Sequence, residues 1–200
     1  MRPERYFPGA ADRFPRENHT EAAMSPADAR NIYLIGPRAS GKTTLGKRLA
    51  ERLDRPFLDL DAAFCEKYGE TIADMVGRDG WDAFRLAEAA ILAETAQQDG
   101  LVVATGGGVV LMPENRKLLA KGRVFYLQAD PERLVERLMA DLNAQQRPKL
   151  TELGLREEIA ATLAEREPLY LGCAHASLPE RPVEELLEFA LRALQMWNEE

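Results

Sequence analysis

The chain has 200 residues and a formal net charge of −7, from 26 basic and 33 acidic side chains. This length fits one α/β domain with a single core, and the negative charge disfavours a general nucleic-acid-binding protein, which carries a basic surplus. Two cysteines do not support a disulfide framework or a zinc quartet, and no apolar run approaches the length of a membrane span. We therefore expect a cytoplasmic protein with no nucleic-acid or membrane partner.

The first segment, residues 1–28, differs from the rest in composition. It mixes prolines and a glycine with charges of both signs, shows no sustained hydrophobic period, and lacks the apolar core of a signal peptide. We expect a disordered extension here, followed by a single domain over residues 29–200. Met24 lies just before the first predicted strand, and we expect residues 1–23 to be dispensable for activity.

From residue 31 onward, short apolar runs alternate with segments of helical period. The predicted strands are 32–35, 56–59, 101–104, 124–127 and, from a weaker signal, 174–178. The predicted helices are 42–53, 62–68, 71–76, 81–98, 113–121, 131–140, 155–165 and 183–197. Helices between strands require right-handed crossovers and a parallel sheet. The pattern predicts a three-layer α/β/α domain around a five-stranded parallel sheet.

A phosphate-binding motif lies between the first predicted strand and the first predicted helix. The segment from Gly36 to Thr43 has the pattern G-x-x-x-x-G-K-[ST]. Backbone N–H groups and the dipole at the start of a helix bind phosphate. Lys42 adds a cation for the β- and γ-phosphates, and the Thr43 hydroxyl can ligate magnesium. An ordinary glycine turn would explain Gly36 and Gly41 but not Lys42 and Thr43, so the motif predicts nucleotide binding.

Two other predicted strands also end in unusual residues. Asp59 and Asp61 follow one strand, and Gly106, Gly107 and Gly108 follow another. A carboxylate at a strand tip can hold a magnesium-bound water or accept a proton from an attacking hydroxyl, and glycines let backbone groups approach a ligand. Taken singly, the carboxylates could cap a helix and the glycines could form a plain turn. Ligands of parallel sheets bind beyond the carboxyl ends of the strands. Because the carboxylates, the glycines and the phosphate loop all follow predicted strands, together they favour a functional site.

Three arginines are candidates for binding anionic groups. Arg85 precedes Glu88 by three residues, so Glu88 could orient its guanidinium, although an exposed pair of this kind contributes little. Arg147 follows a polar stretch that predicts a mobile lid over about residues 141–154, which would bring charge to a transferring phosphoryl group. Arg166 ends a predicted helix and by itself could be a solvated charge.

In this order, the motifs resemble the shikimate kinase family over nearly the whole chain after residue 31. The resemblance rests on the phosphate loop, the D-x-D of Asp59 and Asp61, the F-R-x-x-E around Arg85 and the triple glycine. It also includes the R-P-x-L that begins at Arg147 and the E-R-x-P-L-Y around Arg166. Other small phosphate-loop kinases share only the first element. The loop's opening G-P-R is similar to the second isoform of enteric bacteria.

The resemblance implies a monomeric kinase with the phosphate-loop kinase fold that phosphorylates the 3-hydroxyl of shikimate with ATP and Mg²⁺. Lys42, Asp61 and Arg147 would be catalytic, with Asp61 orienting or deprotonating the hydroxyl. Thr43 would ligate the metal ion, and Asp59 would support it through water. The implied ATP-binding residues are Ala39, Ser40, Gly41, Lys42, Thr43, Thr44 and Arg147. The implied shikimate-binding residues are Asp61, Arg85, Gly106, Gly107, Gly108 and Arg166. Among them, the glycine backbone would meet the ring hydroxyls, and the two guanidinium groups would hold the carboxylate.

Three positions depart from the pattern of this family. Ala39 stands where many members have glycine, and we expect an ordinary backbone dihedral angle to accommodate it. Lys149 replaces the usual apolar residue after the lid proline, and the segment 171–173 lacks the usual acidic residue. None of the principal site residues is missing.

Two alternatives remain at this point. A kinase of similar build could phosphorylate gluconate or a nucleoside monophosphate, although the arginines and Asp61 favour a polyol acid over a nucleotide acceptor. The alternative of another class is a non-catalytic nucleotide-binding regulator, which leaves the arginines and the strand-end carboxylates unexplained.

Overall fold

The computed structural model describes residues 29–140 and 154–199. The predictions for residues 1–28 and for nearly all of the lid, including Arg147 and Lys149, lie outside these residues. No helix in the described ranges is both long and apolar enough to span a membrane.

Within these ranges, five strands form one sheet in which every pairing is parallel. They are β1 (Ile32–Ile35), β2 (Phe57–Asp59), β3 (Val102–Ala104), β4 (Arg123–Leu127) and β5 (Ala176–Leu178). Their order across the sheet is β2-β3-β1-β4-β5, with Ile32 of the central strand paired to Val102 on one side and to Arg123 on the other. The predicted five-stranded parallel sheet is confirmed, including the weakly signalled last strand.

Seven α-helices are described around this sheet. They are α1 (Lys42–Leu53), α2 (Leu60–Tyr68), α3 (Ile72–Thr95), α4 (Pro113–Leu119), α5 (Pro131–Ala140), α6 (Leu155–Cys173) and α7 (Val183–Glu199). A short 3₁₀ turn, Val109–Leu111, follows β3. Gly80 interrupts α3 with non-helical angles (φ 83°, ψ 172°), which agrees with the two predicted helices on either side of it.

Helix α6 extends beyond its predicted end at residue 165. It continues through Pro168 to Cys173, although proline removes a backbone donor from a helix interior. The extension buries Tyr170, which is 1% exposed and stacks on Tyr126 with ring centroids 5.0 Å apart. Tertiary packing of this aromatic pair therefore outweighs the local cost of the proline.

The core lies in two layers, one on each face of the sheet. Because successive strand residues point to opposite faces, Tyr33 and Ile35 pack in the layer under α3 and α4. Ile32 and Leu34 pack in the opposite layer with α1 and α7. A smaller apolar cluster joins α5 to α6 and contains Leu134, Val135, Leu138 and Ile159. The three-layer arrangement leaves the carboxyl ends of the strands for the functional residues.

Candidate active site

The phosphate loop connects β1 to α1 and wraps around its own lysine. Lys42 is buried, and its Nζ donates hydrogen bonds to the Gly36 carbonyl at 3.0 Å and the Pro37 carbonyl at 2.7 Å. Gly36 has φ 141°, and a Cβ there would lie 2.6 Å from the Leu127 carbonyl oxygen, so this position requires glycine. The lysine and the start of α1 are thus brought to one anion-binding loop.

We predicted an ordinary backbone dihedral angle at Ala39, and this prediction is wrong. Its φ is 62°, in the left-handed region that L-residues other than glycine rarely adopt. Ala39 lies in a turn closed by a 3.3 Å hydrogen bond from the Ser40 N–H to the Pro37 carbonyl. Arg137 of α5 donates to the Ala39 carbonyl at 3.2 Å and so contacts the turn from outside.

Asp59 caps α2 and also contacts the phosphate loop. Its Oδ1 accepts from the backbone N–H groups of Asp61 at 3.0 Å and Ala62 at 3.4 Å, which caps α2. Its Oδ2 accepts from the Thr43 hydroxyl at 2.7 Å. A carboxylate and a hydroxyl, both hard oxygen ligands of the kind that Mg²⁺ prefers, therefore lie together beside the phosphate loop.

A cavity of about 690 Å³, which we call the loop cavity, opens over this region. All the loop residues predicted to bind ATP that the structure describes line it: Ala39, Ser40, Gly41, Lys42, Thr43 and Thr44. Asp59 also lines it, together with Arg137 and Arg181, two residues that were not predicted from the sequence. No motif marks these two arginines, and only their placement on α5 and beside the start of α7 brings them to the loop.

A second cavity of about 110 Å³, which we call the acceptor cavity, adjoins the first. Every residue predicted to bind shikimate lines it, namely Asp61, Arg85, Gly106, Gly107, Gly108 and Arg166. Apolar side chains of α3, including Trp81 and Phe84, and of α5 and α6 form the rest of its wall. The structure thus brings together residues from β2–α2, α3, the glycine turn and α6.

Arg85 and Glu88 form a buried ion pair, not the weak surface pair that their spacing alone would allow. Arg85 Nη1 donates to Glu88 Oε2 at 2.7 Å, with side chains only 14% and 3% exposed. The guanidinium carbon lies 5.3 Å from the Trp81 ring centroid and 5.2 Å from that of Phe84. Burial raises the pKa of Glu88, and the charge of Arg85 opposes that rise. The pair fixes the guanidinium in the cavity wall.

Two of the three glycines, Gly106 and Gly108, leave room for side chains of the site that approach the turn closely. A Cβ on Gly106 would collide with Glu88 Oε1, and one on Gly108 would collide with the Arg85 guanidinium. On Gly106 it would also lie 3.1 Å from Asp61 Oδ1. The glycine turn, residues 106–108, therefore packs directly against the predicted substrate-binding side chains.

Helix α6 holds the middle of the glycine turn. Arg166 Nη1 donates to the Gly107 carbonyl at 3.3 Å, and the Tyr170 hydroxyl donates to the same oxygen. Arg166 is buried, so it is not a solvated charge at a helix end. Burial, partly opposed by Arg166, raises the pKa of Tyr170 to about 12, so this hydroxyl stays protonated as a donor. Tyr170 was not among the predicted site residues, although it is the last residue of the E-R-x-P-L-Y motif.

Among the residues that the structure describes, four line both cavities: Arg38, Asp61, Gly107 and Leu138. Asp61 therefore stands at the boundary between the space over the phosphate loop and the space beside Arg85. A hydroxyl in one cavity and a terminal phosphoryl group in the other could meet next to its carboxylate. This arrangement suits phosphoryl transfer to a small acidic polyol.

Comparisons with known proteins identify the family. The shikimate kinase family model matches residues 38–194. "Shikimate kinase 2" of Syntrophotalea carbinolica is 47% identical over 147 residues, 73% of this chain and 85% of that protein. "Shikimate kinase" of Oleidesulfovibrio alaskensis is 50% identical over 145 residues, 72% of this chain and 84% of that protein.

A solved structure gives the same result for the fold. The shikimate kinase of Acinetobacter baumannii in complex with shikimate has a TM-score of 0.78 and 34% identity, and the match covers 84% of this chain and 93% of that one. The sequence motifs and the fold agree with these matches. The chain belongs to the shikimate kinase family, whose members transfer a phosphoryl group from ATP to the 3-hydroxyl of shikimate on the pathway to chorismate and the aromatic amino acids.

Proposed function

We propose that the loop cavity holds the phosphates of ATP, with Mg²⁺, and that the acceptor cavity holds shikimate with its 3-hydroxyl beside Asp61. The observation that carries this assignment is that Asp61 lines both cavities. An acceptor hydroxyl and a γ-phosphate placed there would be neighbours, which converts a bimolecular reaction into one between oriented groups.

The substrate carboxylate would be held by Arg85 and Arg166. Two guanidinium groups can fix the plane and the position of a carboxylate through parallel hydrogen bonds. Arg85 is already oriented by Glu88. Arg166 Nε is buried and has no hydrogen-bond partner among the described residues, so that a carboxylate oxygen would satisfy it. Backbone groups of the glycine turn would meet the ring hydroxyls.

Asp61 would accept the proton of the 3-hydroxyl as the oxygen attacks the γ-phosphorus and the bond to the β-phosphate oxygen breaks. Lys42 and the backbone N–H groups from Ala39 to Thr44 would hold the charge of the phosphates during this in-line transfer. Arg147 remains a predicted contributor from the lid, outside the described residues. The protein's part is chiefly positioning and neutralisation of charge.

The residues beside the loop fit Mg²⁺. This ion is commonly bound by one or two protein oxygens together with phosphates and water, and Thr43 and Asp59 provide such oxygens 2.7 Å apart. Thr43 would ligate the ion and Asp59 would hold it through water. When bound, the ion neutralises charge on the phosphate oxygens.

A coupled assay for ADP release tests the proposal with three acceptors: shikimate, gluconate and AMP. We expect ADP release with ATP and Mg²⁺ only when shikimate is present. Release with gluconate or AMP alone would assign the acceptor cavity to another substrate, and no release with any acceptor would indicate a non-catalytic protein. Sedimentation of the purified chain at assay concentration would test the expected monomer.

A further inference from the structure

We infer that Arg38 is a catalytic residue whose guanidinium contacts the phosphoryl group while it passes from ATP to shikimate. The inference deepens the proposed function, because it depends on transfer occurring where the two cavities meet. Arg38 occupies a variable position of the phosphate-loop motif, and the motif itself assigns it no role.

The location of Arg38 is the first observation that supports this role. It lines both cavities, and the residues that share this property are Asp61, Gly107 and Leu138. Asp61 is the proposed proton acceptor, Gly107 contributes backbone, and Leu138 is apolar. Among the described residues that line both cavities, Arg38 is therefore the one that brings positive charge.

The glycine turn lies next to both Arg38 and Asp61. A Cβ built on Gly107 would lie 3.3 Å from the Arg38 backbone nitrogen, and one on Gly106 would lie 3.1 Å from Asp61 Oδ1. The main chain of Arg38 and the carboxylate of Asp61 thus contact successive residues of the same short turn. The side chain of Arg38 starts from the point where the phosphate loop touches the acceptor cavity.

The charges around the junction give the chemical reason. In the acceptor cavity, Arg85, which pairs with Glu88, and Arg166, which donates to the glycine turn, are the residues proposed to bind the substrate carboxylate. Lys42 lies on the other side, within the phosphate loop. A phosphoryl group in transit spreads its negative charge over three equatorial oxygens, and a guanidinium fork at the junction can donate to two of them. Arg38 would thereby stabilise the transition state more than either bound substrate.

Three variants test this inference. Arg38→Met removes the charge but keeps a long side chain, and Arg38→Lys keeps a charge without the fork. Arg48→Met is the matched control, because Arg48 is exposed on α1 and lines neither cavity. The coupled ADP assay gives kcat and the KM values for ATP and shikimate, and thermal melting confirms that each variant is folded.

We expect Arg38→Met to lower kcat by about 10²-fold, the loss typical of one electrostatic donor to the transition state, with both KM values unchanged. Arg38→Lys should retain an intermediate kcat, and Arg48→Met should behave as the native chain. A native kcat in Arg38→Met, or a loss confined to the KM for shikimate, overturns the inference. If Arg38→Met fails to fold, a native kcat in Arg38→Lys overturns it.

The native chain separates this inference from the proposed function. If it releases ADP with shikimate and Arg38→Met does so equally well, only the role of Arg38 is lost. If the native chain shows no shikimate-dependent release, both are lost.

Discussion

The Thr43 hydroxyl donates a 2.7 Å hydrogen bond to Asp59 Oδ2, and this bond joins the phosphate loop to the tip of β2. The other oxygen of the same carboxylate caps α2, the helix that begins with Leu60 and Asp61. A single side chain therefore positions the proposed proton acceptor through the helix cap and faces the proposed magnesium position through the loop.

These two roles of Asp59 can be separated by substitution. Asp59→Asn keeps an oxygen acceptor for the cap but removes the negative charge. We expect the Mg²⁺ concentration for half-maximal turnover to rise about tenfold or more, as for other outer partners of a metal ion. Asp59→Ala should show the same rise and also lose about 1 kcal/mol of unfolding free energy, measured with urea. An unchanged Mg²⁺ dependence in Asp59→Asn would remove Asp59 from the metal site.

Asp61 should act chiefly on the chemical step. Asp61→Asn keeps the size of the side chain but cannot accept the proton, and we expect kcat to fall by about 10²–10⁴-fold, the usual contribution of a general base. ATP affinity should be unchanged, because the loop contacts are retained. Glu66→Gln, an exposed position on the same helix, is the control. Equal kcat values in the native chain and Asp61→Asn would contradict the role.

Arg85 requires a double substitution, because removing one partner of a buried ion pair is costly in itself, by about 3–5 kcal/mol. In Arg85→Met/Glu88→Gln, no unpaired carboxylate is left in the cavity wall. We expect the KM for shikimate to rise about 10- to 100-fold, as loss of a charged hydrogen bond worth about 1.5–3 kcal/mol implies, with the KM for ATP unchanged. Asp82→Asn, an exposed position on the same helix that lines neither cavity, is the control, because it leaves the ion pair intact. An effect on ATP with none on shikimate would place Arg85 outside the substrate site.

The left-handed backbone at Ala39 predicts a stabilising substitution. Ala39→Gly relieves an unfavourable φ of 62°. Glycine also increases the conformational entropy of the unfolded chain, which offsets part of this gain. We therefore expect the unfolding free energy to rise by about 0.5 kcal/mol. Ala90→Gly on the exposed face of α3 should instead lose about 1 kcal/mol. Urea unfolding of both variants tests this contrast, and a similar loss in both would show that Ala39 is unstrained.

His175 predicts a dependence of stability on pH. Its Nδ1 accepts the Val124 backbone N–H at 3.2 Å, and burial, with the positive charges of Arg123 and Arg30, lowers the pKa of its imidazole. In the unfolded chain, histidine has a pKa near 6.5. The unfolded chain therefore binds a proton at His175 more readily than the folded chain does. The stability that His175 contributes is present above about pH 6.5 and is lost as the pH falls through its folded pKa.

Replacing the imidazole of His175 with an amide separates titration from the hydrogen bond. His175→Asn keeps an acceptor near the Val124 N–H but does not titrate. We expect the native chain to lose more unfolding free energy between neutral and mildly acidic pH than this variant, as measured by urea unfolding across that range. Parallel pH profiles would assign the acid sensitivity to other groups.

Much of this protein is determined by local sequence patterns. A β-rich apolar run, a glycine loop and a helix with leucines four apart specify the first βαβ unit, because hydrophobic period and turn chemistry act over a few residues. The placement of Asp59, Asp61 and the glycine turn at one edge of the sheet was predictable because the carboxyl ends of parallel strands share that edge. The five strands follow from the same reasoning.

Other features depend on contacts between residues far apart in the chain. Tyr170 keeps α6 helical past Pro168 because it stacks on Tyr126 and donates to Gly107, partners that no local pattern around Pro168 indicates. The φ of Ala39 follows from closure of the phosphate loop over Lys42, which local propensity opposes.

The tertiary structure alone decided where the two cavities meet. The sequence determined that Asp61 and Arg85 carry charges suited to a substrate. The placement of Arg38 beside Asp61, however, depends on the glycine turn. This turn follows β3, which is distant from β2 in sequence but adjacent to it in the sheet. Strand order and the packing of α6 set these distances. Such long-range packing depends on the burial of the whole core. The residues that surround Arg38 along the chain therefore do not indicate where Arg38 lies relative to Asp61.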